Sequence, residues 1–243
     1  MTKIRSLIYF ALFVVNTIVF GLLLSILGWV TPDSWSNAVA NSWAALNSWL
    51  LKVICSLSYR ISGSENLPAA AAVIMSKHQS TWETIALRHI VGGKQAWILK
   101  RELLRVPIFG WALASMSSIA IDRKAGRKAI IQIIKQGTSL LHSGHRVMIF
   151  PEGTRTAPGE RGRYGMGGAI LAEKSGFPVI PIAHNAGYFW RRRDINKYPG
   201  VIDVVIGAPI SSNGRHAKEI IREVEEWIES RMDQLPAPTQ SNS

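Results

Sequence analysis

The sequence predicts an α/β fold: a mixed sheet flanked by helices, preceded by an N-terminal pair of hydrophobic and amphipathic helices that enters a membrane. Residues 6–30 contain no charged side chain, and residues 34–59 place apolar side chains at helical spacing. From about residue 60, short runs rich in β-branched residues alternate with helical patterns. Such alternation is typical of a sheet that has helices on both faces.

The composition describes a chain that is both apolar and basic. Of its 243 residues 47% are hydrophobic, and 28 Lys and Arg against 16 Asp and Glu give a net charge of +12. This charge favours an anionic partner, and the nine Trp suit a membrane–water interface better than a nucleic-acid groove. We therefore expect anionic lipids and no nucleic acid. The single cysteine, Cys55, excludes an intrachain disulfide and a cysteine-rich metal site, and we expect it to pack rather than to react.

The N-terminal region, residues 1–59, is predicted to associate with a membrane. As a helix, residues 6–30 would be about 37 Å long, enough for the hydrocarbon core. A cleaved signal peptide is the alternative, because Lys3 and Arg5 precede the segment, but the apolar stretch is longer than the h-region of such peptides. Residues 34–59 predict an interfacial amphipathic helix. Because basic residues flank the apolar segment on both sides, we favour two helices that dip into one leaflet, or a tight hairpin, over a single crossing.

Residues 60–234 are predicted to form one α/β domain, and the polar residues 235–243 a disordered tail. Strands are predicted at residues 70–75, 96–99, 118–121, 147–150, 179–183 and 201–206. Helices are predicted at residues 83–91, 103–115, 127–142, 167–175 and 215–234.

Polar and ionisable residues follow the predicted strands, where open α/β sheets bind their ligands. In chain order these are Lys77 and His78, Lys100 and Arg101, Asp122 and Arg123, residues 151–155, and His184 and Asn185. Several of them are cations, so the edge of the sheet is predicted to bind an anion.

His78 and Glu83 form the first candidate site. An imidazole with a pKa of about 6.5 is suited to take a proton from an alcohol. A carboxylate five residues later can accept the other ring N–H and stabilise the imidazolium. The alternative is structural, because Ser80 and Glu83 also have the spacing of a capping box.

Residues 152–155 form the second candidate site. Backbone N–H groups near Gly153, with the side chains of Thr154 and Arg155, can hold a phosphate, but the P-loop pattern is absent and a surface turn is the alternative. Arg123, after Asp122, is either part of a phosphate clamp or the start of a solvated basic helix.

Three further patterns are weaker. His142 and His145 flank a turn, and we expect no metal there. Residues 188–193 mix aromatic and arginine side chains, as an interfacial anchor or a solvated loop does. The G-x-S-x-G elbow of serine hydrolases is absent.

These motifs together resemble the lysophosphatidic acid acyltransferase family, the bacterial 1-acyl-sn-glycerol-3-phosphate acyltransferases. Four blocks match in order over about residues 65–210: the HxxxxD-type motif at 78–83, then 120–123, 152–155 and 178–181. Glu83 stands where the family usually has Asp, and Lys77 where Asn is common. Residues 164–167 are Tyr-Gly-Met-Gly where Phe-Lys-Lys-Gly is frequent.

The resemblance implies transfer of a fatty acyl group from acyl-CoA or acyl carrier protein to the sn-2 hydroxyl of lysophosphatidic acid, giving phosphatidic acid. It implies that His78 is the general base and that Glu83 orients it. Arg123 and the block Glu152, Gly153, Thr154 and Arg155 would bind the acceptor phosphate. Lys100 would stabilise an oxyanion or contact a phosphate.

The acyl thioester is a co-substrate, and neither a cofactor nor a metal is implied. The implied location is the cytoplasmic side of a bacterial inner membrane. Two alternatives stay open. The acceptor could be another lysophospholipid, a lyso-ornithine lipid or glycerol 3-phosphate, or the chain could bind anionic lipids without catalysis.

Overall fold

The computed structural model describes residues 1–235 and 237, and in that part of the chain it contains one seven-stranded sheet with helices on both faces. The strands are β1 (Leu57–Ser62), β2 (Val73–Ser76), β3 (Gln95–Lys100), β4 (Ile119–Ile121), β5 (Arg146–Ile149), β6 (Val179–His184) and β7 (Gly200–Ile206). The α-helices are α1 (Thr2–Leu27), α2 (Asp33–Cys55), α3 (Trp82–Val91), α4 (Phe109–Ala114), α5 (Arg127–His142), α6 (Gly167–Ser175), α7 (Ala186–Phe189) and α8 (Ala217–Gln234).

The strand order is β1-β7-β6-β2-β5-β3-β4, and the sheet is mixed, which confirms the predicted fold class. The five strands from β6 to β4 are parallel. β7 runs antiparallel to β6, and β1 is parallel to β7. The carboxyl ends of five strands therefore meet at one edge. β2 is the middle strand of the seven, with Val73 opposite Val179 on one side and Val147 on the other.

The two faces of the sheet support separate apolar cores because side chains alternate along each strand. On β2, Val73 and Met75 pack in the cluster that contains side chains of α5, α6 and α8. Ile74 points to the other face and packs with side chains of α2, α3 and α7, and with Tyr9 of α1. Cys55 is 2% exposed within this second cluster, as a packing role requires.

α1 lies along the α/β domain and contacts it near both ends. Close to its start, the Lys197 backbone N–H donates to Ser6 Oγ at 2.8 Å. Close to its end, Ser25 Oγ donates to the Ile108 carbonyl at 3.2 Å, and Ser115 Oγ donates to the Leu24 carbonyl at 3.0 Å. By length and composition alone, α1 is one helix apolar enough to cross a membrane.

The predicted helix over residues 34–59 ends earlier than expected. α2 stops at Cys55, and Ser56 has a left-handed backbone with φ of 53°. Residues 57–62 then form the edge strand β1, which the sequence prediction missed. Leu57 is buried in the sheet, but its spacing from Val53 also fits a helix, and this coincidence concealed the strand.

The predicted helix over residues 103–115 is divided in two. A 3₁₀ helix covers Arg101–Arg105, and α4 starts only at Phe109. Pro107 has no backbone N–H to continue the helix, and Ile108 has a φ of 64°. Of the predicted tail, Leu235 packs against the core, and residue 236 and residues 238–243 lie outside the described part.

Candidate active site

A cavity of about 530 Å³ opens beside the carboxyl ends of the parallel strands. It brings together most of the site residues expected from the sequence, namely His78, Lys100, Arg123, Gly153, Thr154 and Arg155. They come from β2, β3, β4 and β5 or from the loops that follow these strands. The parallel topology thus gathers residues that are far apart in the chain, as open α/β sheets do.

His78 and Glu83 form a hydrogen-bonded pair at the end of β2. His78 Nδ1 lies 2.8 Å from Glu83 Oε1, and the ring nitrogen Nε2 is the one left to meet an acceptor hydroxyl. The same oxygen also accepts the backbone N–H groups of Gln79 at 2.8 Å and Ser80 at 2.7 Å. One oxygen of Glu83 therefore both orients the imidazole of His78 and accepts the backbone N–H groups just before the start of α3. The two interpretations of Glu83 are both met by this oxygen.

Glu83 is completely buried yet favours the carboxylate form. Burial raises its pKa, but His184, the hydrogen bond from His78 and the Ser80 N–H outweigh this and hold the pKa below its ordinary value. His184 is also buried, and burial keeps its pKa below the ordinary value despite the nearby Glu83. His184 Nε2 donates to the Lys77 carbonyl at 2.9 Å, which fixes the ring beside Glu83.

The ring of His78 is held from a second side by Phe150. The two rings stack with their centroids 4.1 Å apart and an angle of 11° between their planes. Phe150 follows β5, the strand next to β2, so the sheet register sets this contact. The stacked face and the Nδ1 bond together leave the imidazole little rotational freedom.

Arg123 and Arg155 supply positive charge to the same cavity. Burial lowers the pKa of both guanidinium groups, and Glu83 counteracts the effect at Arg155. Arg155 Nε is buried and has no hydrogen-bond partner among the described residues. An unpartnered buried guanidinium nitrogen is costly, and an anionic ligand in the cavity would satisfy it.

Gly153 lies at the turn between β5 and Arg155. Its φ of 67° is in the left-handed region, and Arg123 Nη1 is 4.0 Å from where a Cβ would stand. A side chain here would be strained and would face the guanidinium group. Thr154 is exposed beside it, and Lys100 is exposed at the end of β3.

Glu152 occupies a different place from the one expected of a phosphate-binding residue. Its carboxylate is buried, Oε1 accepts from Lys77 Nζ at 2.8 Å, and Oε2 accepts from the His78 backbone N–H at 2.8 Å. Thr156 Oγ1 donates to Oε1 as well, at 3.0 Å. An anion with both oxygens engaged repels a phosphate, so Glu152 holds the loop of His78 in place instead.

Lys77 is 1% exposed and lies at the centre of a buried ionic network. Its ammonium group contacts Glu152, Glu229 Oε1 at 2.8 Å and the Glu160 carbonyl at 3.2 Å. Tyr164 donates its hydroxyl to the same Glu229 oxygen at 2.8 Å, and burial raises the pKa of Tyr164. The network connects β2, the loop after β5 and α8.

The rest of the cavity is mainly apolar, and the N-terminal helices form part of its wall. α1 contributes Phe13, Thr17, Phe20, Gly21 and Leu24, and α2 contributes Ala40 and Trp43. Trp97, Leu99, Leu103, Phe109 and Leu113 line it from the α/β domain. One cavity therefore joins a cationic end near His78 to an apolar end suited to a fatty chain.

Arg192 is a cavity residue that the sequence reasoning did not assign to the site. It lines the cavity, and its Nη1 donates to the Arg155 carbonyl at 3.1 Å. The run of three arginines at 191–193 was the only signal, and it was interpreted as an interfacial anchor or a solvated loop. The geometry places one of the three at the cationic end.

His142 and His145, the pair at which no metal is expected, both make structural contacts. His145 Nε2 lies 2.7 Å from Asp33 Oδ2, and Ser117 Oγ donates to Asp33 Oδ1 at 2.9 Å, so His145 holds the start of α2. His142 packs edge-on against Phe177. Within residues 1–235 and 237, no group of three or more His, Cys, Asp or Glu is placed to hold a metal ion.

Comparisons with known proteins find similar sequences and a similar fold. The acyltransferase family model matches residues 58–185. A 1-acyl-sn-glycerol-3-phosphate acyltransferase of Pseudomonas aeruginosa is 40% identical over 236 residues, which cover 96% of this chain and 91% of the relative. The human 1-acyl-sn-glycerol-3-phosphate acyltransferase alpha is 28% identical over 166 residues, 68% of this chain and 59% of the relative.

A solved structure shows the same fold. The crystal structure of the 1-acyl-sn-glycerophosphate (LPA) acyltransferase PlsC from Thermotoga maritima aligns with a TM-score of 0.80. The alignment covers 99% of this chain and 98% of the other, at 20% sequence identity. Both the N-terminal helices and the sheet are therefore included in the likeness.

Proposed function

This chain belongs to the acyltransferase family, and from that premise we propose that it acylates the sn-2 hydroxyl of 1-acyl-sn-glycerol 3-phosphate to give phosphatidic acid. One observation carries the proposal: the His78–Glu83 pair faces a cavity that is cationic at one end and apolar at the other. The name of the Pseudomonas aeruginosa relative supports this acceptor over another lysophospholipid, a lyso-ornithine lipid or glycerol 3-phosphate.

In the proposed reaction His78 Nε2 takes the proton of the acceptor hydroxyl while the oxygen attacks the thioester carbonyl. The tetrahedral intermediate collapses, the C–S bond breaks and the thiolate leaves, and the proton on His78 passes to the thiolate. Glu83 stabilises the imidazolium through Nδ1. The thiolate leaves readily, so the reaction needs no acyl-enzyme.

The cationic end of the cavity orients the acceptor. Arg155, Arg123 and Arg192 surround the space where the phosphate would lie, with Gly153 and Thr154 at the turn. Fixing the phosphate and the fatty chain together converts a two-substrate encounter into an oriented one. We assign Lys100, on the same cavity wall, to the developing oxyanion or to a phosphate.

We place the enzyme on the cytoplasmic side of a bacterial inner membrane, with α1 and α2 in one leaflet. The contacts of α1 with the α/β domain near both of its ends support this orientation over a crossing. A helix bound to one domain at both ends lies along that domain. The donor is acyl-CoA or acyl carrier protein.

The decisive experiment is an acyl-transfer assay with the purified full chain, a panel of lyso-acceptors and both thioester carriers. We expect product from lysophosphatidic acid, and we expect His78→Ala to lower the rate about 10²- to 10⁴-fold or more. Sedimentation with vesicles should be unchanged in this variant. His89→Ala, an exposed position on α3, is the matched control and should retain the rate. Unchanged turnover in His78→Ala would overturn the catalytic assignment.

A further inference from the structure

Residues 101–111, between β3 and the middle of α4, form an exposed segment that is both apolar and basic. Leu103, Val106 and Trp111 are 38%, 44% and 53% exposed. Arg101, Glu102 and Arg105 are exposed in the same segment, so its cations outnumber its single acidic residue. After β1, seven large apolar side chains of the described residues are exposed, and this short segment holds three of them. Neither the catalytic pair nor the phosphate-binding residues explain this concentration.

The 101–111 segment packs directly on the C-terminal half of α1. Ser25 Oγ of α1 donates to the Ile108 carbonyl, and a Cβ on Gly21 would stand 2.9 Å from Ile108 Cγ2. After Arg5, α1 has no charged side chain, and Ile18, Leu22 and Ile26 are exposed in its C-terminal half. The two exposed apolar surfaces therefore belong to adjoining elements.

The shape of the 101–111 segment depends on that contact. Ile108 has a φ of 64°, which is unfavourable for a β-branched residue and is maintained only where the surroundings hold it. Glycine at position 21 leaves the room for the Ile108 side chain. Leu103 and Phe109 also line the cavity, so the segment that adjoins α1 also forms part of the cavity wall.

We propose that the 101–111 segment is a second lipid-contacting surface, which inserts beside α1 into the interface of an anionic bilayer. Val106 and Trp111 would enter the acyl-chain boundary, while Arg101 and Arg105 contact lipid phosphates. The mixture of aliphatic, indole and guanidinium groups suits this interface, and so does continuity with the apolar side of α1. The inference rests on the proposed function. Insertion of the 101–111 segment would place this part of the cavity wall at the depth of the headgroup of a lysolipid acceptor.

The test measures the depth of single labelled positions in vesicles. A Cys55→Ala background removes the only native cysteine, and Val106→Cys then carries an environment-sensitive fluorophore. Val19→Cys on α1 and Ile131→Cys on α5, which are 57% and 54% exposed, are matched references. Each protein is reconstituted in phosphatidylcholine vesicles containing phosphatidylglycerol, and its label is quenched either by nitroxide-bearing lipids or by aqueous iodide.

We expect the labels at 106 and 19 to be quenched by the nitroxide lipids, and the label at 131 by iodide. If position 106 behaves like 131 while 19 lies in lipid, the segment does not contact the bilayer and the inference is overturned. If the label at position 19 is also quenched by iodide, then α1 itself does not lie in lipid, and the membrane placement in the proposed function is wrong. Neither readout depends on turnover.

A charge variant tests the two arginines. Arg101→Gln with Arg105→Gln should lower lipid quenching of the label at 106 at least twofold, on vesicles that contain phosphatidylglycerol. Lys218→Gln with Arg222→Gln, two exposed cations of α8, is the control and should leave the quenching unchanged. If the Arg101 and Arg105 changes instead weaken binding of an added acidic acyl carrier protein and leave the label depth unaltered, the segment docks a protein and the proposal is wrong.

Discussion

Lys77 Nζ lies 2.8 Å from Glu229 Oε1, although 152 residues separate them in the chain. The same ammonium group contacts Glu152, whose other oxygen accepts the backbone N–H of His78. The loop that presents His78 is therefore tied to the last helix, α8, through one buried cation.

Replacing Lys77 should destabilise the protein strongly. Lys77→Met leaves Glu152 and Glu229 buried without their shared cation, and breaking a buried pair from one side costs about 3–5 kcal/mol. We expect a large fall in the thermal unfolding midpoint, which intrinsic tryptophan fluorescence measures. Lys174→Met, at an exposed lysine of α6, should unfold like the wild type. Adding Glu229→Gln to Lys77→Met should recover part of the loss, and no recovery would argue against the charge explanation.

Glu83→Gln separates the two functions of the Glu83 carboxylate. The amide oxygen can still accept from the Gln79 and Ser80 N–H groups, but it carries no charge to stabilise an imidazolium at His78. We expect kcat to fall about 10²- to 10⁴-fold with KM little changed. Circular dichroism should show the same helix content in both proteins. A rate equal to the wild type would leave Glu83 only its capping function.

The ionisation of Glu83 also predicts how stability depends on pH. Its pKa in the folded protein is below the ordinary value of 4.5, so folding favours the carboxylate. The stabilisation is therefore complete above that ordinary value and is lost as the pH falls through the lower, folded pKa. The difference in free energy of unfolding between the wild type and Glu83→Gln should be larger at pH 7 than at pH 4. Chemical denaturation at the two pH values measures it, and a difference independent of pH would contradict the assignment.

Arg155→Gln should weaken binding of the phosphorylated acceptor. The guanidinium group has a buried, unpartnered Nε beside the cavity, and a charge-assisted hydrogen bond is worth about 1.5–3 kcal/mol. We expect KM for lysophosphatidic acid to rise about 10-fold or more, with little change in KM for the acyl donor. Arg163→Gln, an exposed position in the same loop region, should leave both constants unchanged. Equal effects of the two substitutions would mean that Arg155 contributes only general positive charge.

Local sequence patterns were enough to predict most of the sheet and the site residues that follow its parallel strands. Alternation of apolar runs placed six of the seven strands, β2 to β7, close to their observed positions along the chain. The rule that ligands bind at strand ends predicted that His78, Arg123 and Arg155 lie close together, and all three line the cavity. β1 was missed because a six-residue edge strand directly after a helix continues its apolar spacing.

Long-range pairing accounts for most of what the sequence could not predict. The position of Glu152 depends on Lys77, 75 residues earlier, and that of Lys77 depends on Glu229 in α8. Arg192 reaches the cavity only because the loop after α7 returns to Arg155. Neither periodicity nor motif spacing contains such contacts, since they arise only when the whole sheet is assembled.

The helix α1, which is apolar enough to cross a membrane, is also part of the candidate active site. Phe13, Phe20 and Leu24 are part of the cavity wall, and the helix is bonded to the α/β domain near both ends. A truncation that starts after α1 would open the apolar end of the cavity to water and would remove Tyr9 from the core on one face of the sheet. Fusing an unrelated apolar helix in its place would not rebuild that wall. α1 is therefore not an exchangeable part of this enzyme.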